Sequence, residues 1–126
     1  MRNELYNLFN ELNNIYYEND YRGFPLDVKE TEGNYEITCE LAGVKKEDIK
    51  IDFNDSILTV TAKKHVESAK DAKYLVRERE NLKLRRSLDF GNVKEDKINA
   101  KFENGILTIT LVTKKEDKTI KNIVIE

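Results

Sequence analysis

Apolar and polar residues alternate along most of the chain between residues 24 and 113, and a period of two is typical of strands with one buried face. In the first two segments the apolar positions are Leu26, Val28, Tyr35, Ile37, Cys39 and Leu41. The stretch LAGVKKEDIK at 41–50 interrupts the alternation and predicts a loop with one helical turn at most. Many short strands without an interior helix predict an all-β sandwich.

Two segments of the chain repeat one phrase, NGILTIT at 104–110 and DSILTVT at 55–61. Asn104-Gly105 is typical of a two-residue type I′ turn, because both residues tolerate a positive φ. A turn in each copy pairs apolar residues across two strands: Phe102 with Leu107, Ala100 with Ile109, Ile98 with Leu111, Phe53 with Leu58, Ile51 with Val60 and Ile49 with Ala62. Each predicted hairpin thus has one apolar face, and two such faces leave water by packing on each other.

Two further strands are predicted after the first hairpin, a short one at 74–80 (YLVRERE) and a longer one at 82–90 (LKLRRSLDF). Arg86 lies on the apolar side of the longer strand. Because a buried, unpaired cation costs roughly several kcal/mol, Arg86 either pairs with a carboxylate at an interface or extends its aliphatic stem to the sheet edge. The sequence leaves both alternatives open.

The first 23 residues follow a helical period instead. Their apolar side chains form one stripe, which consists of Leu5, Leu8, Phe9, Leu12, Ile15 and Tyr16. This spacing predicts a short amphipathic helix, which the sequence Tyr21-Arg22-Gly23 interrupts. The helix either packs on its own domain or serves as an arm for assembly or ligand binding.

The last residues combine a charged connector, TKKEDKTIKN at 113–122, with the apolar group Ile123, Val124 and Ile125. A terminal segment without its own core is normally polar. The two isoleucines therefore belong either to one more edge strand of the same domain or to a segment that docks into a groove on a neighbouring molecule. The chain is divided into three parts: an arm at 1–23, a β-domain at 24–114 and an extension at 115–126.

Composition narrows the classes of function. Charged residues make up 37% of the 126 residues with a net charge of −2, so no basic block of the kind that binds nucleic acid is present. The single cysteine, Cys39, has no partner for a disulfide and is expected to be a small buried side chain. No stretch approaches the roughly 20 apolar residues of a membrane span, and no signal peptide is recognisable. We therefore expect a soluble, cytoplasmic protein.

Enzyme function is not expected. The sequence has no Gly-rich phosphate loop, no Cys/His metal spacing and no defensible pair of carboxylates. His65 is the single histidine and lies in a polar stretch, where we expect it to be solvated. No catalytic residue, metal or other cofactor is therefore predicted.

Two motifs connect the chain with a known family. Ala100, Asn104, Gly105 and Leu107 form an Ala-x-x-x-Asn-Gly-x-Leu signature, and Ile123, Val124 and Ile125 form an Ile-x-Ile motif. In both motifs the chain resembles the small heat shock proteins, the α-crystallin-domain family, and GVKKEDIKI at 43–51 extends the likeness. The resemblance implies an immunoglobulin-like antiparallel β-sandwich, the α-crystallin domain, with a short helical N-terminal arm and a flexible C-terminal tail.

The resemblance also implies an activity, namely ATP-independent binding of unfolding client proteins under heat or other stress. It implies a dimer formed by strand exchange, with Tyr74, Leu75, Val76, Arg77, Glu78 and Arg86 at the interface, and further assembly into homo-oligomers. The tail of one chain is expected in a groove lined by Ile49, Ile51, Phe53, Ile98, Ala100 and Phe102, while the arm contributes to client binding or assembly. The rival functions are a β-sandwich co-chaperone that binds one folded partner and a purely structural oligomer.

Overall fold

The structure, a computed structural model, describes residues 20–114. In this range the chain forms eight strands and a single 3-10 turn at Lys46–Asp48. The strands are β1 (Tyr21–Arg22), β2 (Leu26–Thr31), β3 (Asn34–Glu40), β4 (Ile49–Asn54), β5 (Ile57–Lys64), β6 (Leu82–Asp89), β7 (Glu95–Glu103) and β8 (Ile106–Thr113). The all-β prediction is confirmed. The apolar stripe of the predicted arm and the tail residues Ile123 to Ile125 lie outside the described residues.

The described strands form two four-stranded sheets, with the orders β1-β6-β5-β4 and β2-β3-β8-β7. The pairing of β1 with β6 is parallel, and the other pairings are antiparallel. The two repeated phrases form the hairpins β4–β5 and β7–β8, so each sheet contains one copy. In both hairpins the first strand lies at the edge of its sheet and the second lies inside it.

The register predicted from the two turns is confirmed. Phe102 pairs with Leu107 across β7 and β8, and Phe53 pairs with Leu58 across β4 and β5. Both turns have positive φ at their two central residues, as type I′ geometry requires: Asp55 (52°), Ser56 (64°), Asn104 (52°) and Gly105 (76°). Local turn chemistry therefore determines which side chains of each hairpin face the core.

The core lies between the two sheets and consists mainly of residues from the inner strands. Its buried side chains are Phe24, Ile37, Cys39, Leu41, Val44, Leu58, Val60, Ala62, Leu84, Leu88, Phe90, Leu107, Ile109 and Leu111. The expectation that Cys39 is a small buried side chain is confirmed, since its exposed fraction is 0%. The edge strands β4 and β7 contribute side chains that pack against this core but are only partly buried.

One predicted strand is absent from the single chain, and one observed strand was not predicted. No strand forms at 74–80, because extended residues are a strand only when another strand accepts and donates their hydrogen bonds, and residues 65–81 pair with no neighbour here. Residues 74–78, which were expected at a dimer interface, lie in an exposed loop. Strand β1 was not predicted, because two residues are too few to show a period of two.

Gly105 is required in its turn for two reasons. Its φ is 76°, and a Cβ atom there would lie 3.1 Å from the Cα atom of Ala42. The carbonyl of Gly105 also accepts a 2.7 Å hydrogen bond from the backbone N–H of Leu41. The close approach thus connects the β7–β8 turn to the loop that follows β3.

We expect Gly105→Ala to lower the free energy of unfolding by about 2–4 kcal/mol, because left-handed backbone strain and a backbone clash add together. Gly91→Ala is the matched control: its φ is 77°, but a Cβ atom there would have nothing within 4 Å. It should lose only the strain contribution, about 1–2 kcal/mol. Urea unfolding of both variants measures the difference, and equal losses would show that the contact with Ala42 is unimportant.

Candidate functional site

The candidate site lies between the edge strands β4 and β7. Two contacts show that these strands are on the same side of the sandwich. Arg86 Nη1 donates a 2.7 Å hydrogen bond to the carbonyl of Phe24, which connects β6 to the segment before β2. The Ser56 hydroxyl donates to the carbonyl of Val93 at 2.8 Å and connects the β4–β5 turn to the segment before β7. With β1, β6 and β2 on one side of the sandwich, β4 and β7 lie on the other.

Six positions along the two edge strands were named from the resemblance, and we refer to them together as the edge groove: Ile49, Ile51, Phe53, Ile98, Ala100 and Phe102. Along β4 the half-buried residues Ile49, Ile51 and Phe53 alternate with exposed polar ones. Along β7, Ile98 and Phe102 are half-buried and Ala100, between them, is exposed. All but Ala100 pack on the core with part of their surface. The six residues named from the resemblance therefore lie on the edge strands of the two sheets, at one side of the sandwich.

Ser56 and Phe90 close the end of the edge groove near the start of β7. The Ser56 hydroxyl accepts a hydrogen bond from the Val93 N–H at 3.0 Å, and the Ser56 carbonyl accepts one from the Phe90 N–H at 2.8 Å. The Phe90 ring lies 6.4 Å from that of Phe53 and 4.8 Å from that of Tyr35. Burial, together with the nearby Glu30 carboxylate, raises the pKa of the Tyr35 hydroxyl.

The contacts of Ser56 and Phe90 were not predicted from the sequence. The one signal was the residue at the second turn position, which is Ser56 in the first copy of the hairpin and Gly105 in the second. A serine with a φ of 64° is unusual, and its two hydroxyl hydrogen bonds account for its presence there.

Arg86 lies on the inner side of β6, opposite Val60 of β5, and is half-buried. Burial raises the pKa of the Cys39 thiol to about 12, while the positive charge of Arg86 acts in the opposite direction. Its hydrogen bond to the Phe24 carbonyl fixes the chain just before β2. Neither predicted alternative for Arg86 included this backbone acceptor.

The loop at 65–81 contains the remaining residues named for the dimer. Tyr74, Leu75 and Val76 are 44%, 88% and 74% exposed, although all three are large and apolar or aromatic. Together these three side chains form the exposed large hydrophobic group in the part of the chain that the structure describes. An apolar group of this kind on a loop suggests a contact with another molecule.

Residues 20–114 show neither a metal-binding cluster nor a membrane-spanning helix. No group of three or more His, Cys, Asp or Glu side chains in this range is arranged to hold a metal ion. No helix in the same range is long and apolar enough to cross a membrane. His65 is exposed, in agreement with the expectation that it is solvated.

Comparison with known proteins decides the family. The family model described as Hsp20/alpha crystallin family matches residues 27–126. The chain belongs to this family. Small heat shock protein C2 of Rickettsia felis is 36% identical over 129 residues, which cover 95% of this chain and 84% of that relative. The 18 kDa heat shock protein of Clostridium acetobutylicum is 39% identical over 103 residues, which cover 79% of this chain and 68% of the relative.

A solved structure agrees with the fold of this small heat shock protein. Heat shock protein 16.0 from Schizosaccharomyces pombe superimposes with a TM-score of 0.70 at 26% identity, covering 98% of this chain and 93% of that one. Family membership confirms the predicted class of function: the chain is an ATP-independent chaperone. The alternative of an adaptor for one folded partner is not favoured.

Proposed function

We propose that this small heat shock protein holds unfolding proteins in the cytoplasm, without a catalytic step, through surfaces that it also uses for its own assembly. The proposal divides the chain into an arm at 1–23, a sandwich at 24–114 and an extension at 115–126. The observation that carries it is the edge groove, where half-buried apolar residues of β4 and β7 have no covering strand among the described residues. Such a groove accepts an extended apolar segment from another chain.

The tail residues Ile123 and Ile125 are the segment that we assign to the edge groove. They are two positions apart, so both face the same side of an extended chain, and the groove has the matching period along β4 and β7. A tail from a neighbouring chain thus joins two dimers.

The tail is expected to bind weakly when it acts alone. Burial of two isoleucines provides roughly 3–6 kcal/mol before the cost of ordering the tail is subtracted. The remainder corresponds to about millimolar affinity for one isolated tail. An assembly therefore persists because several tails act together, and individual tails exchange readily.

The dimer is proposed to form through the loop at 65–81. Residues 74–78 have no strand partner among residues 20–114, and β2 is the first strand of its sheet, with one edge unpaired in the same range. Exchange of residues 74–78 onto the β2 edge of a partner gives this segment a strand partner and covers the unpaired edge of β2. Arg86 supports this contact because it fixes the backbone at Phe24, just before β2.

The stripe at Leu5, Leu8, Phe9, Leu12, Ile15 and Tyr16 is proposed to bind clients or to contribute to assembly. Heating, or competition from a client with exposed apolar surface, then displaces the tail from the edge groove and releases smaller species. Because the same apolar surface serves both uses, capture of a client requires no nucleotide.

Ala100→Lys tests the edge groove directly. Ala100 is exposed between Ile98 and Phe102, so a lysine there places a charge in the space assigned to the tail. Asn99→Lys adds the same side chain to the same strand, on the opposite side. We expect Ala100→Lys to reduce the oligomer mass in light scattering coupled to size exclusion, while Asn99→Lys leaves it unchanged. Equal masses for the two variants would contradict the assignment of the groove.

A further inference from the structure

The loop at 65–81 presents a physical difficulty for strand exchange. Residues 67–80 are all exposed, and the loop has no strand of its own. An exposed segment of this length is expected to sample many backbone conformations, and ordering it at the moment of binding weakens the complex. A strand that exchanges efficiently needs to be positioned beforehand.

Three hydrogen bonds cross this loop and are nested from its base to its tip. At the base of the loop, the Val66 N–H donates to Asn81 Oδ1 at 2.7 Å. Further out, Arg77 Nη1 donates to Ser68 Oγ at 3.1 Å. Near the tip, the Ala69 N–H donates to the Tyr74 hydroxyl at 2.9 Å. The Arg77 guanidinium carbon also lies 4.4 Å from the centroid of the Tyr74 ring. This cation–π contact couples the two outer hydrogen bonds.

The three hydrogen bonds share one property. Each uses a side chain from the second limb of the loop, residues 74–81, and none uses the backbone of that limb. Within residues 20–114, no backbone–backbone hydrogen bond joins the two limbs. The second limb is therefore held by its side chains, while its N–H and C=O groups remain available for a neighbouring strand.

We propose that Tyr74, Arg77 and Asn81 hold residues 65–81 as a preformed arm that presents its second limb to the β2 edge of a second copy of this chain. The inference rests on the strand exchange proposed above and adds the residues that position the strand before it pairs. Asn81 is the central positioning residue, because its contact with Val66 closes the loop at its base. Leu75 and Val76, which no contact within the loop covers, are the apolar side chains offered to the partner.

The test removes the three acceptors and leaves residues 75–80 unchanged. The variant carries Ser68→Ala, Tyr74→Phe and Asn81→Ala in the full chain, and Asn81→Asp, which keeps an acceptor oxygen, is the matched control. Native mass spectrometry of mixed 15N-labelled and unlabelled chains, at concentrations where dimers are the largest species, gives the dimer dissociation constant. We expect an increase of about tenfold or more in the triple variant and less than about threefold in Asn81→Asp. Urea unfolding should show the same sandwich stability in both.

Proline variants separate this inference from the proposed strand exchange. Leu75→Pro and Val76→Pro each remove one backbone N–H, and since alternate residues of a strand face the partner, one of the two must disrupt pairing. If a proline variant loses the dimer but the triple variant keeps the original or a lower dissociation constant, positioning by these side chains is wrong while strand exchange stands. If both proline variants dimerise like the unsubstituted chain, strand exchange itself is wrong, and the preformed arm with it.

Discussion

Replacement of both tail isoleucines, Ile123→Ser with Ile125→Ser, is expected to reduce the assembly to dimers. In the proposed docking, each tail contributes about millimolar affinity, which depends almost entirely on burial of its two isoleucines on the neighbouring chain. Removal of most of that apolar area leaves the binding energy of the tail below the cost of ordering it. Because the assembly depends on several weak tails at once, the loss is multiplied over all of them.

The mass of the particle and the exchange of subunits measure this effect. Light scattering coupled to size exclusion should give a mass about twice the chain mass of 14.8 kDa. Mixed 15N-labelled and unlabelled chains should exchange at least about tenfold faster than the unsubstituted protein. Ile120→Ser with Val124→Ser is the matched control, since it makes two similar changes in the same tail outside the paired positions. If the double serine variant keeps the original mass and exchange rate, docking of the tail is wrong.

Arg86→Ala is expected to weaken the dimer by about 10-fold to 100-fold, the equivalent of roughly 1–3 kcal/mol. The guanidinium donates to the Phe24 carbonyl at 2.7 Å, and its loss leaves a part-buried acceptor unpaired at the start of the segment that leads into β2. In the proposed dimer β2 offers the edge that receives the exchanged strand, so an unfixed backbone before β2 is expected to reduce the fit of the partner. Arg86→Lys keeps a donor and a positive charge, so its dimer dissociation constant should lie between those of the unsubstituted chain and Arg86→Ala.

The dimer effect has to be separated from loss of the fold. Urea unfolding at concentrations below the dimer dissociation constant reports the stability of the sandwich alone, and analytical ultracentrifugation reports the dimer. An unchanged dimer constant in Arg86→Ala would show that the arginine stabilises only its own chain. A larger dimer dissociation constant in Arg86→Ala, where the hydrogen bond that fixes the chain before β2 is lost, would support a role of Arg86 at the interface.

The hairpins could be predicted from the sequence because they are local. A two-residue turn at Asn104-Gly105 or Asp55-Ser56 fixes the register of the strands that it joins, and alternation then fixes which residues face inward. The position of β4 and β7 at the sheet edges is different, since it depends on the order of strands distant in sequence. The edge position of these two strands was expected from the family resemblance, because no local sequence pattern indicates it.

The errors and omissions have the same origin. The strand at 74–80 was inferred from its residue types, but a strand also requires a partner, and no strand among residues 20–114 pairs with this segment. The backbone acceptor of Arg86 is 62 positions away in the chain, and Ser56 and Val93 are 37 apart, so neither contact leaves a periodic signal. A strand of two residues such as Tyr21–Arg22 is too short for any pattern.

Capture of unfolding proteins without nucleotide can be measured by light scattering from an unrelated heat-labile protein during warming. The protein is added at about one chain per substrate molecule, in buffer with and without ATP. We expect scattering to be suppressed to the same extent in both buffers. Undiminished scattering, or suppression that appears only with ATP, would contradict the account.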